Sequence, residues 1–264
     1  MNRKDTKNYL ITNKFNPSKK MGQSFLVNQE ISEQIVSSLD LINADVIVEI
    51  GPGLGALTSH LVKTNKPLIA IELDKRLADN LTKTYPQIKV INNDVLKVNF
   101  NLLLKEYSNP LLVSNLPYSI SSPMLRVFFK SNLKKFYCLL QKEFVQRLIA
   151  TPNSKEYSAL SVCAQYMCNI KRIVDVNRTN FNPVPKVDSC FISLIKTKKY
   201  DEKFFRFVNL CFAHRRKTLV NNLRNTYGYQ SINACLTRNN INLNIRAQEL
   251  TISQLYNLHR GLNL

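Results

Sequence analysis

Apolar positions fall in two rhythms along the chain. In the first, short β-branched or aliphatic runs alternate with stretches at helical spacing. Val46–Ile50 reads as a strand and is followed at once by Gly51-Pro52-Gly53-Leu54-Gly55, after which Leu57, Leu61 and Val62 mark one face of a helix. Residues 68–73 predict a second strand, with Leu77, Leu81 and Tyr85 on the helix behind it. A third strand over 88–91 ends in Asn92-Asn93-Asp94, and a fourth over 110–114 runs into Asn115-Leu116-Pro117-Tyr118. Residues 123–129 suit a helix and 136–140 a fifth strand. Strands alternating with helices in this way predict a mostly parallel sheet covered on both faces.

The rhythm changes at Lys196-Thr197-Lys198-Lys199. Beyond it, apolar residues recur at helical spacing: Phe204, Phe205, Val208, Leu210 and Phe212, then Leu219, Val220 and Leu223, then stretches around 232–236 and 250–258. The pattern predicts an α/β domain over residues 1–197, opening with a basic leader over 1–20, and a small helical domain over 198–264. With 264 residues and 44% hydrophobic content, the chain can bury cores for both.

Charge alters the picture more than composition does. Thirty-seven basic residues against 18 acidic ones leave a net of +19. Part of this reflects an Asn-, Lys- and Ile-rich chain, but the excess is gathered at the two ends. Arg3, Lys4, Lys7, Lys14, Lys19 and Lys20 lie in the leader, and His214-Arg215-Arg216-Lys217 is the densest cluster. Mixed signs are the rule on an ordinary solvated face, so a polyanion is the expected partner. The six cysteines contain no Cys-x-x-Cys pair and the three histidines are scattered, so reduced core cysteines in a cytoplasmic protein, without a metal, are expected. No apolar run suggests a signal or a membrane span.

Candidate chemistry gathers at the strand ends. The glycines of Glu49-Ile50-Gly51-Pro52-Gly53-Leu54-Gly55 allow a tight turn and close approach to a ligand. Glu72 ends the next strand, where a carboxylate can accept hydrogen bonds from both hydroxyls of a ribose. That suits NAD and S-adenosylmethionine equally. Asp94, at the third strand end, can receive an adenine amino group. In Asn115-Leu116-Pro117-Tyr118, the Asn115 side-chain oxygen and the Leu116 carbonyl are acceptors that can orient an exocyclic amine. Pro117 fixes the turn, and Tyr118 offers a face for an extruded base. No catalytic His, Lys or Tyr-x-x-x-Lys constellation follows the glycine turn, which disfavours a dehydrogenase.

These segments, in order, resemble the ribosomal RNA adenine N6-dimethyltransferases, above all the small-subunit branch associated with kasugamycin resistance. Lys20-Met21-Gly22-Gln23-Ser24-Phe25-Leu26 resembles that family's N-terminal signature. Residues 49–58, 71–74 and 93–94 resemble its cofactor motifs, Asn115 to Tyr118 its target-base motif, and Phe181-Asn182-Pro183 to Ser189 its substrate-side loop. Gln141-Lys142-Glu143, Tyr157 to Ser161, Arg215 to Leu219 and Arg246 to Leu250 match further segments.

The resemblance implies a Rossmann-like domain with a seven-stranded, mostly parallel sheet and a C-terminal helical domain. It implies S-adenosyl-L-methionine held by Ser24, Leu26, Gly51, Gly53, Glu72, Asp94 and Asn115. Catalysis would fall to Asn115, Leu116, Pro117, Tyr118 and Phe181, with Phe181 facing Tyr118 across the base; the density of the basic cluster itself assigns RNA phosphate to Arg215, Arg216 and Lys217. The implied reaction is dimethylation of two adjacent adenosines in the 3′-terminal hairpin loop of 16S rRNA, in an immature small subunit, by a monomer. Ser24 stands where many relatives carry Asn, and Ser158 where many carry Gly. The alternatives are a macrolide-resistance type acting on 23S rRNA and a non-catalytic assembly factor.

Overall fold

A computed structural model describes residues 2–18 and 21–262; Lys19 and Lys20 of the basic leader lie outside these. The first half alternates as the pattern predicts, after an N-terminal helix α1 (Arg3–Thr12), a short strand β1 (Phe25–Leu26) and a helix α2 (Gln29–Ser37). There follow β2 (Val46–Ile50), α3 (Thr58–Leu61), β3 (Leu68–Glu72), α4 (Lys75–Thr84), β4 (Lys89–Asn92), α5 (Phe100–Leu103), β5 (Pro110–Asn115), α6 (Ser121–Lys130) and β6 (Lys135–Gln141). Three of these helices start at residues whose side chains accept from orphan amides: Asn28 caps α2, Asp74 caps α4 and Asn99 caps α5.

Every residue of β2 and β3 is buried, including Glu49 and Glu72. A sheet covered on both faces calls for such continuous apolar runs rather than alternation. Two helices, α7 (Lys142–Leu148) and α8 (Ala159–Met167), precede β7 (Cys168–Val176), β8 (Phe181–Asn182) and β9 (Ser189–Lys196). The seven-stranded sheet runs β4-β3-β2-β5-β6-β9-β7, with β4 to β6 mutually parallel and β9 antiparallel to β6. β1 and β8 pair separately, Leu26 opposite Phe181.

Four helices end the chain: α9 (Glu202–Cys211), α10 (Leu219–Tyr227), α11 (Tyr229–Arg238) and α12 (Ile252–Leu262). Two compact units result, one of Met1–Lys142 with Lys171–Lys196, the other of Glu143–Ile170 with Thr197–Leu264. The division near residue 197 is where the apolar rhythm changes. The helical unit, however, also takes in α7 and α8, which the sequence pattern had assigned to the α/β domain. The reason is aromatic packing: the α8 residue Tyr166 lies 4.5 Å from Phe204 and 5.4 Å from Tyr256, centroid to centroid.

The leader carries structure of its own. Asn2 and Asp5 form a reciprocal capping box that starts α1, and Phe15 beyond it is buried. All six cysteines are free and buried. Among the described residues, no helix is long and apolar enough to cross a membrane.

Candidate active site

Chain order reverses between β2 and β5, since β3 and β4 extend the sheet to one side and β6 to the other. A crevice forms at the carboxyl ends of strands at such a point. Here it is a cavity of about 400 Å³, lined from β1, the turn after β2, the ends of β3, β4 and β5, and β8. It takes in Ser24, Leu26, Gly51, Gly53, Glu72, Asp94, Asn115, Leu116, Pro117, Tyr118 and Phe181, so every residue assigned above to the cofactor or the base lies on one wall or another.

The glycine turn is built around Glu72. Gly53 adopts φ +59°, and a Cβ placed on it would sit 3.1 Å from the ring of Phe25. Only glycine meets both conditions. Its N–H donates to Glu72 Oε2 at 3.0 Å, while the Asp74 N–H donates to Oε1 at 2.9 Å. The carboxylate is thereby held before any ligand arrives, and each oxygen keeps a lone pair for a ribose hydroxyl. Burial raises the Glu72 pKa, and these amides work against the rise. The half-buried Asp94 engages one oxygen with the Leu96 N–H at 3.0 Å.

At the end of β5, the Asn115 Nδ2 donates to the Ser24 carbonyl at 3.4 Å, so Oδ1 is the atom left to accept. The Leu116 N–H is engaged with the Leu139 carbonyl at 3.3 Å. Two acceptors, the Asn115 amide oxygen and the Leu116 carbonyl, therefore follow one another along the chain beside the cavity. The Tyr118 hydroxyl shares a 2.7 Å hydrogen bond with Ser189 Oγ on β9, which fixes the ring. Phe181 lines the cavity yet is only 1% exposed, making it as much a core residue as a cavity wall. The Ser24 hydroxyl donates to the Pro183 carbonyl at 2.7 Å; that bond and the Asn115 contact tie β1 to the Phe181 loop and to β5.

Arg215, Arg216 and Lys217 are exposed in the turn between α9 and α10 of the helical unit. The guanidinium of Arg215 donates to the carbonyls of Lys155 and Tyr157, at 2.7 and 3.1 Å, and so braces a loop of its own unit. Among the described residues, no three His, Cys, Asp or Glu side chains gather as metal ligands would.

Some participants are invisible in the sequence pattern. Glu49, at 1% exposure, accepts from Thr58 Oγ1 at 2.6 Å beneath the glycine turn, and burial pushes its pKa up to about 7. Gln23 and Arg76 both hold Asp74, at 3.2 and 2.7 Å, and their positions gave no hint of it.

Residues 13–263 match the family described as ribosomal RNA adenine dimethylase. A ribosomal RNA small subunit methyltransferase A of Mycoplasma genitalium is 41% identical over 254 residues, covering 95% of this chain and 98% of that protein. One of Ureaplasma urealyticum is 40% identical over 277 residues, covering 100% of this chain and 98% of the relative. In fold, the chain is similar to a dimethyladenosine transferase from Plasmodium falciparum, with a TM-score of 0.73 at 24% identity, over 89% of this chain and 95% of that one. A cavity at the strand ends lined by the motif residues agrees with these near full-length matches: the chain belongs to the ribosomal RNA adenine dimethylase family and is an S-adenosylmethionine-dependent methyltransferase.

Proposed function

We propose that this enzyme places two methyl groups on N6 of each of two adjacent adenosines in the 3′-terminal hairpin loop of 16S rRNA. The substrate is the maturing small subunit, and the enzyme acts on it as a cytoplasmic monomer. The observation that carries the reading is the Asn115 amide, whose nitrogen is engaged by Ser24 and whose oxygen is thereby left to accept.

Adenine N6 is a poor nucleophile because its lone pair is delocalised into the ring. When bound, S-adenosylmethionine supplies an electrophilic methyl group. Glu72 would hold the ribose and Asp94 the adenine amine of that donor, with Asn115 also lining the cavity. The Asn115 Oδ1 and the Leu116 carbonyl accept the two N–H bonds of the target amine, which turns its lone pair toward the donor. Tyr118, anchored through Ser189, stacks on the extruded base. Each transfer forms one N6–CH3 bond at the expense of the donor's S–CH3 bond, and N6 releases a proton to solvent; the rate gain comes from position and fixed dipoles, with no strong base required. The names of the M. genitalium and U. urealyticum relatives support a small-subunit target.

Transfer of labelled methyl into small subunits from a methylation-deficient host tests this. Asn115→Ala should lower transfer by at least ~10²-fold, the scale set by losing one preorganised hydrogen-bonding group, while particle binding survives. Primer extension across both rRNAs locates the product. Modified 23S rRNA beside untouched 16S rRNA would overturn the proposed target, and full activity of Asn115→Ala would remove that residue from its role.

A further inference from the structure

The leader contains the one aromatic side chain that closes a circuit of contacts around Glu72. Starting from Glu72, its Oε1 accepts from the Asp74 amide at 2.9 Å, and the Asp74 carboxylate pairs with Arg76 at 2.7 Å. The Arg76 guanidinium lies over the Phe15 ring, 4.1 Å from its centroid. Phe15 then meets Phe25 edge-on at 6.2 Å between centroids. Phe25 packs on Gly53, and the Gly53 amide returns to Glu72 Oε2 at 3.0 Å. Phe15, Phe25, Leu54 and Leu77 make a small core of their own, with Tyr9 and Leu10 packed on it. Three of these four line the cavity, and Phe15 backs them from outside.

The other end of the leader is fastened to β8, the strand that pairs with β1. Arg3 donates from its guanidinium to the carbonyls of Thr179 and Phe181, the latter at 3.2 Å. The described part of the leader thus spans from the substrate-side strand β8 to the turn that cradles the donor.

We propose that Phe15 is a positioning residue for the methyl donor: it seats Phe25 against Gly53 and so holds the glycine turn and Glu72 in the geometry that receives the donor's ribose. Phe15 touches neither the cavity nor the reacting atoms; its influence passes through Phe25. The proposal rests on the reading that the cavity binds S-adenosylmethionine. The cation over its face and the edge contact with Phe25 both require an aromatic ring at this position.

Titration of the full-length chain with S-adenosylhomocysteine separates the two ideas. If the unaltered protein does not bind this product, the reading of the cavity fails and the proposal fails with it. Given that binding, Phe15→Ala should weaken it by about tenfold, a modest fraction of a nucleoside's affinity. The KM for S-adenosylmethionine should rise in step, while kcat at saturating donor and the KM for RNA stay within about twofold. Phe15→Tyr, which keeps the ring, should recover affinity to within about threefold. Arg76→Ala, at a side chain 59% exposed, leaves the core intact and should weaken binding by about threefold. If Phe15→Ala does not fold, Phe15→Leu, which keeps an apolar side chain but no ring, carries the test and should weaken binding by several-fold. Unchanged affinity in the folded variants would overturn the proposal. So would a parallel fall in kcat, RNA affinity and melting temperature, which would make Phe15 a stability residue only.

Discussion

Two carboxylates lie under the glycine turn; burial raises the pKa of both, and they differ in what opposes it. Glu72 has two backbone amides on it and faces the cavity, so its charge is supported. Glu49 is fully enclosed; desolvation dominates and, with the like charge of Glu72, outweighs the hydrogen bonding from Thr58 and sets its pKa at about 7. Its unfolded value is 4.5, so the folded state binds a proton more tightly. The stability this contributes is complete below about pH 4.5, and it is lost as pH rises through about 7. From these values, its contribution should fall by on the order of 3 kcal/mol across that range. Glu49→Gln keeps an acceptor for Thr58 and removes the titration. Urea unfolding at intervals from pH 4.5 to 8 should show the unaltered protein losing stability that the variant retains; parallel curves would disprove the account. Glu72 and Asp94 were legible in the sequence because a strand end after an apolar run is where a parallel sheet presents its side chains. Glu49 was legible only as part of a motif, since nothing local says that its carboxylate is shut away from water.

At the scale of elements, the turn between α9 and α10 shows how one basic cluster divides its work. Arg215 braces the loop between α7 and α8 through the Lys155 and Tyr157 carbonyls, and Tyr157 in turn donates from its hydroxyl to Leu250 at 3.1 Å. Removing the guanidinium leaves those carbonyls to water or to nothing. Arg215→Ala should therefore cost about 1 kcal/mol of stability, read by thermal unfolding, with little change in the salt dependence of RNA binding. An unchanged melting temperature together with a flattened salt dependence would return Arg215 to phosphate. The elements themselves were unevenly legible. β2 to β6 and α9 to α12 follow the apolar rhythm closely. Helix α8 was not read, because its residues are apolar on nearly every side and give no amphipathic stripe. Helix α1 has a weak stripe, and it is fixed by the Asn2 cap and by Phe15, which acts from outside the helix.

For the whole molecule, the net charge of +19 predicts strongly salt-dependent RNA binding. All four members of the cluster are exposed, but Arg215 is engaged inside its own unit, so Arg216 and Lys217 are the pair expected to meet phosphate. Replacing both with Ala should weaken RNA affinity and flatten the log-log salt slope by roughly one unit for each lost phosphate contact. A slope identical to that of the unaltered protein would exclude them from the interface.

What the sequence by itself determined is the order of strands and helices, the turn at Gly51 to Gly55, and the strand-end residues Glu72, Asp94 and Asn115. These follow from local periodicity, and in a parallel α/β sheet periodicity alone sends successive strand ends to the same edge. Only the tertiary structure decided that Glu49 is buried, that Arg215 is a brace, that α7 and α8 belong with the C-terminal helices, and that Phe15 closes the circuit around Glu72. Each of these depends on what packs against the residue from a distant part of the chain, and such contacts leave no trace in the spacing of neighbours.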